Sequence, residues 1–100
     1  MKLMTQDLAN TIPGLYKTEE LTNPMVQCKF FLPGTQWTWY VTEYDGEDVC
    51  FGFVVGDYPE LGYFTISELE SVRGPLALRV ERDRFFRPVP LKQIMLNHGR

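Results

Sequence analysis

Apolar positions change their spacing along this chain, and each change marks an element. Thr5 stands before Leu8, Ala9 and Ile12, which are spaced for one face of a short helix. Asp7 falls in its first turn, where the helix dipole favours an anion, and Pro13-Gly14 stops it. From Met25 to Leu32 the period drops to two: Val26, Cys28, Phe30 and Leu32 alternate with Met25, Gln27, Lys29 and Phe31, which predicts a strand ended by Pro33-Gly34. Trp37 to Tyr44 and Val49 to Val55 are dense in β-branched and aromatic residues. The link Asp45-Gly46-Glu47-Asp48 predicts a hairpin between them, with Asp45-Gly46 supplying the positive φ angles.

Gly56 to Leu61 reads as a turn around Pro59, followed by a short strand from Gly62 to Phe64. Thr65 and Glu68 have the spacing of a capping box, and Ile66, Leu69 and Val72 share one side of the two-turn helix it begins, which Arg73-Gly74-Pro75 ends. Leu76, Leu78 and Val80 alternate with Ala77, Arg79 and Glu81, predicting a half-buried strand that runs to Arg82. Pro88 and Pro90 oppose regular structure between Phe86 and Leu91. Leu91, Ile94 and Met95 then predict a last helical turn or two, with Pro90 at its first position and Gly99 after it. The expected fold is α+β: a curved antiparallel sheet of about five strands with two or three short helices packed on one face, as a single domain over residues 1–100.

Charge is sorted along the chain. Residues 30–72 hold eight carboxylates and no lysine or arginine, yet also eleven of the fourteen aromatics, so this stretch must build the core while its exposed positions are anionic. Residues 73–100 hold seven basic residues against two acidic ones. The net charge of −3 is too balanced for a whole-surface nucleic-acid binder or a whole-surface DNA mimic, although one face can still serve either partner. No apolar run approaches the ~20 residues of a membrane span and no signal-peptide pattern opens the chain, which predicts a cytoplasmic protein without a membrane partner. Cys28 and Cys50 lie in apolar runs without a CxxC pair and read as free, buried thiols.

Catalytic parts are missing. There is no GxSxG, HExxH or P-loop, and the one histidine, His98, reads as a helix C-terminal partner, so no enzyme, cofactor or metal site is expected. Asp45, Glu47 and Asp48 lack calcium-loop spacing and suit a solvated hairpin tip. Trp37 and Trp39 share a strand face and read as core, the rival being a base-stacking platform. Glu43, placed on that same face by alternation, needs a partner if buried; Arg82 is the candidate, and general acid or base work is the rival role.

The ordered set Trp37-Thr38-Trp39-Tyr40, Thr42-Glu43-Tyr44-Asp45, Phe51-Gly52, Pro59-Glu60-Leu61-Gly62-Tyr63-Phe64, Ser67-Glu68-Leu69-Glu70 and Glu81-Arg82-Asp83, with Phe86 and Pro88, resembles an uncharacterised bacterial family of about this length. The resemblance spans Leu8 to Leu91. Members are often encoded on plasmids and integrative elements beside conjugation and anti-restriction genes, which implies an accessory protein of a mobile element.

The functional expectation is a non-enzymatic interaction protein whose acidic surface, Glu43, Asp45, Glu47, Asp48, Asp57 and Glu60, docks on a basic protein partner. An anti-restriction or anti-CRISPR inhibitor is its concrete form. Glu60, on a stiff turn, is either presented to that partner or bonded to backbone amides. The alternative is nucleic-acid binding through Arg84, Phe85, Arg87 and Lys92; the same arginines equally suit internal neutralisation of the acidic hairpins. An exposed sheet edge allows a monomer or a homodimer formed by strand addition.

Overall fold

The computed structural model of the protein describes residues 2–98. Five strands form an open antiparallel sheet in the order β5-β4-β3-β2-β6: β2 is Cys28–Phe31, β3 Thr38–Tyr44, β4 Val49–Val55, β5 Pro59–Thr65 and β6 Glu81–Arg82. A separate two-stranded ribbon pairs β1, Met25–Val26, with β7, Val89–Pro90. Three helices complete the α+β fold: α1 Gln6–Ala9, α2 Ile66–Ser71 and α3 Leu91–Asn97.

The two sheet faces are covered differently. On one, Cys28, Phe30, Trp39, Val41, Cys50 and Phe64 pack beneath Ile66 and Leu69 of α2, with Leu8 and Ala9 of α1 alongside. On the other, Tyr40 and Phe53 meet Leu91 and Ile94 of α3, together with Val26. Two helices therefore share a face, and the third closes the opposite one. Burial pushes the Cys28 thiol up to about 12 and raises Cys50 as well; the two thiols are buried and unlinked.

Local signals placed several elements. The Thr65 hydroxyl accepts from the Glu68 amide while the Glu68 carboxylate accepts from the Thr65 amide, completing the capping box. Thr5 caps α1 through the Leu8 amide. At the hairpin tip only Gly46 has positive φ, 88°, because the Asp45 carboxylate fixes the turn by accepting from the amides of Glu47, Asp48 and Val49.

Other expectations are corrected. The run from Met25 to Leu32 is not one strand: the Gln27 amide bonds the Val41 carbonyl between β1 and β2, and Val26 ends on the face opposite Cys28. Leu76 to Val80 is not a strand. Pro75–Ala77 is a tight turn in which Leu76 and Ala77 take φ near 60°, and Leu76 is 94% exposed. The Gly74 amide closes that loop on the Leu78 carbonyl, leaving only Glu81–Arg82 to pair with β2. Pro88 and Pro90 do not exclude all pairing, since Val89–Pro90 sits in a two-stranded ribbon where a missing amide is tolerated. β5 is longer than the Gly62 to Phe64 segment expected. Gly99 lies outside the described residues.

Among the described residues β5 pairs with β4 alone, and its outer edge carries no further strand. The Ile66 amide bonds the Asp48 carbonyl, which sets the alternation of the β4–β5 ladder. Counting back in steps of two, Leu61 and Tyr63 turn their backbone groups outward.

Candidate functional site

The site begins with a register shift. β3 and β4 pair as Val41 with Gly52 and then Glu43 with Phe51, so one extra residue enters β3 at Thr42. Such a bulge reverses the alternation beyond it. Glu43 consequently leaves the Trp39 and Val41 face, where simple alternation puts it, and joins Phe51, Phe53 and Tyr40 on the α3 side.

There Glu43 is 3% exposed. A carboxylate this deep needs hydrogen-bond donors. Its Oε1 accepts from the Tyr16 amide at 2.9 Å, and its Oε2 accepts from the Thr18 amide at 3.0 Å and from the Thr18 hydroxyl. Three donors from residues 16–18 thus converge on its two oxygens. Residues 13–18 reach this position by wrapping round the end of β3, where the Tyr44 amide bonds the Pro13 carbonyl. Tyr16 is held there at φ 69°, a left-handed conformation uncommon for a residue with a side chain.

Arg82 is not the partner of Glu43. Its guanidinium donates to the carbonyls of Lys2 and Leu3, fastening the N-terminal segment to β6. Among the described residues no lysine or arginine comes within ion-pair distance of Glu43.

Beside Glu43 opens a cavity of about 450 Å³. Its sheet wall is Thr42, Glu43, Phe51, Leu61 and Tyr63; its loop wall includes Tyr16, Thr18, Glu19 and Leu21; its helix wall is Leu91, Lys92 and Met95. The helix wall is tied to the loop, since the first free amides of α3, Leu91 and Lys92, bond the Pro24 carbonyl and the Asn23 side chain. The Phe51 and Tyr63 rings lie 4.8 Å apart between centroids, tilted by 58°. The Tyr63 hydroxyl is raised above its ordinary pKa by desolvation and by neighbouring Tyr16, Glu43 and Glu19. Tyr16, Leu21, Leu61 and Tyr63 are each about half exposed or more around the mouth. Four large apolar side chains thus ring one opening, next to the unpaired edge of β5.

A family model described as a protein of unknown function (DUF2958) matches residues 3–95. The chain belongs to this family. No curated protein and no solved structure matches this DUF2958 chain.

The remaining expected site residues are dispersed. Asp45, Glu47 and Asp48 occupy the β3–β4 turn, whereas Asp57 lies in the β4–β5 turn at the far end of β4, roughly 20 Å away at ~3.4 Å per residue. Asp48 is engaged in structure, accepting from the Ser67 amide at 2.8 Å and the Ser67 hydroxyl at 2.7 Å. Glu60 pairs with Val54, which packs against the α2-side core, so it faces away from Glu43. The acidic residues therefore do not form one patch, and Glu43 is not a surface group at all.

Arg84, Phe85 and Arg87 are exposed around a turn in which Asp83 accepts the Phe85 amide, with Phe85 93% exposed at its tip. Lys92 stands apart on the cavity's helix wall. Lys29 pairs with Asp83 at 3.7 Å, so neutralisation in this region is local. Trp39 is buried in the core on the α2 side and stacks at 5.8 Å on half-buried Trp37, which packs against that core. His98 closes α3 with its amide and brings Nε2 to 3.1 Å from the Tyr40 hydroxyl. Among the described residues no helix is long and apolar enough to cross a membrane.

Proposed function

We propose that this DUF2958 protein is a non-enzymatic interaction protein that acts in the cytoplasm by binding a protein partner with a basic surface. The observation that carries this reading is the ring of Tyr16, Leu21, Leu61 and Tyr63 around a cavity lined by Glu43. Clustered exposed apolar side chains cost solubility unless a partner covers them. The open edge of β5 beside the mouth gives an incoming chain backbone groups to pair with. Glu47, Asp57 and Glu60, exposed at separate places on the hairpins, favour steering of a basic partner over one contact patch. The resemblance to proteins of mobile elements makes a host restriction or CRISPR component the concrete partner class, with this protein as its inhibitor.

Affinity purification from a bacterial host, with the parent and a Leu61→Asp, Tyr63→Ala variant, tests the reading. The expected result is a protein recovered by the parent and lost by the variant, with melting temperature retained. Recovery of no partner, or equal recovery by both, would overturn it.

A second reading, direct nucleic-acid binding, is favoured by one observation: Phe85 is almost fully exposed between Arg84 and Arg87. An aromatic flanked by guanidinium groups can stack on a base while its neighbours hold phosphates. Mobility shifts on single- and double-stranded probes should then weaken steeply with salt and vanish in Phe85→Ala. Absence of any complex at low salt disposes of this reading.

A further inference from the structure

We infer that the cavity beside Glu43 takes the ammonium end of a lysine side chain presented by the partner; the inference rests on the cavity being the docking site proposed above. Its chemistry is that of a cation receptor. Phe51, Tyr63 and Tyr16 line it, and aromatic quadrupoles attract a cation. The lining carries two carboxylates, Glu19 and Glu43, against one ammonium, Lys92, a balance of −1. Among the described residues Glu43 is held by neutral donors and by no ion pair.

Lone-pair accounting selects lysine over arginine. A carboxylate offers about four acceptor sites. Oε2 of Glu43 is filled by the amide and hydroxyl of Thr18, whereas Oε1 receives the Tyr16 amide alone. One acceptor site on one oxygen suits a single N–H of an ammonium. A guanidinium fork needs both oxygens and finds only one. The apolar rim, meanwhile, suits the methylene stem of a lysine, which buries readily while its head remains bonded.

A side chain from a partner is favoured over a free amine because the mouth adjoins the outward-facing backbone of Leu61 and Tyr63. A strand laid along that edge places alternate side chains on the α3 side of the sheet, where the cavity opens.

The test is a titration of isotope-labelled protein followed by NMR, with Nα-acetyl-lysine methylamide, its Nε-acetylated neutral form, and Nα-acetyl-arginine methylamide as probes. Saturable shifts at Tyr16, Phe51 and Tyr63 are expected with the lysine probe, with weaker ones for arginine and none for the neutral form. Tyr63→Ala should weaken binding about fivefold, the scale of one cation–π contact. Lys92→Gln should tighten it by removing the competing cation. Tyr63 and Lys92 are both exposed, so these replacements leave the core intact, and melting curves verify that. No saturable binding of the lysine probe, or equal binding of its neutral form, overturns the inference. The proposed function is judged separately: a captured partner that persists after acetylation of its lysines would leave that reading standing and sink this one.

Discussion

A Cβ on Gly52 would stand 1.8 Å from the carbonyl oxygen of Tyr40. β4 approaches the bulge in β3 only because this position has no side chain. The bulge in turn carries Glu43 across the sheet, so the cavity depends on a hydrogen atom at residue 52.

Replacing Gly52 by alanine is therefore expected to cost about 3 kcal/mol or more, the upper range for overpacking, because the obstructing atom is backbone and cannot swing aside. Denaturant unfolding measures the loss. A variant as stable as the parent would mean that the bulge is not built as described.

Glu43→Gln should cost about 2 kcal/mol, since an amide can accept only at its oxygen and faces the remaining donors of residues 16–18 with its own N–H groups. The loss should appear locally as faster amide hydrogen exchange at Tyr16 and Thr18. Arg82→Ala should leave those two amides protected and instead loosen the N-terminal segment.

Trp39→Ala should cost about 3 to 5 kcal/mol, and half-buried Trp37→Ala roughly half as much. Thermal unfolding separates them. A soluble double alanine variant as stable as the parent would mean that these rings form a surface platform.

Asp45 accepts three backbone amides, that of Asp48 foremost, and its carboxyl is held below its ordinary value of 3.8. A depressed acid contributes stability that is complete above 3.8 and is lost as pH falls through the lowered folded value. Asp45→Ala should consequently melt below the parent at neutral pH, and the gap should narrow as acid protonates the parent's carboxyl. A gap of constant size down to about pH 2 would contradict the role assigned to that carboxylate.

What the sequence made legible was local. Asp45-Gly46 marked the hairpin, Thr65 with Glu68 marked a helix start, and the density of aromatics between Phe30 and Phe64 marked the sheet. Each signal acts over a few residues, and tertiary packing reinforced it. The misplaced faces share one cause, the assumption of unbroken alternation. An inserted residue at Thr42 and a crossing at Gln27 each reverse the faces downstream, and neither has a residue type that announces it. Leu76, Leu78 and Val80 had strand spacing but no neighbouring strand over most of their length, and the turn at Gly74-Pro75 puts Leu76 outward while Val80 alone of the three stays in the core. The candidate cavity was not legible because its walls come from the loop after α1, three strands and α3. Only Gly52, a glycine inside a strongly apolar strand, hinted at a close backbone approach nearby.

The two bonds from Arg82 to the carbonyls of Lys2 and Leu3 join residues separated by 80 and 79 positions. Leu3 and Met4, the side chains thus secured, belong to the core beneath α2. During synthesis residues 2–4 emerge long before their anchor, Arg82, is made. β1 waits in the same way for β7, and Tyr40 and Phe53 wait for α3. The hairpins from β3 to β5, and α2 directly after them, can form as they appear, whereas the opposite face stays uncovered until residues 91–97 of α3 are made. Covering the α3 face and securing residues 2–4 thus both depend on contacts between segments far apart in sequence.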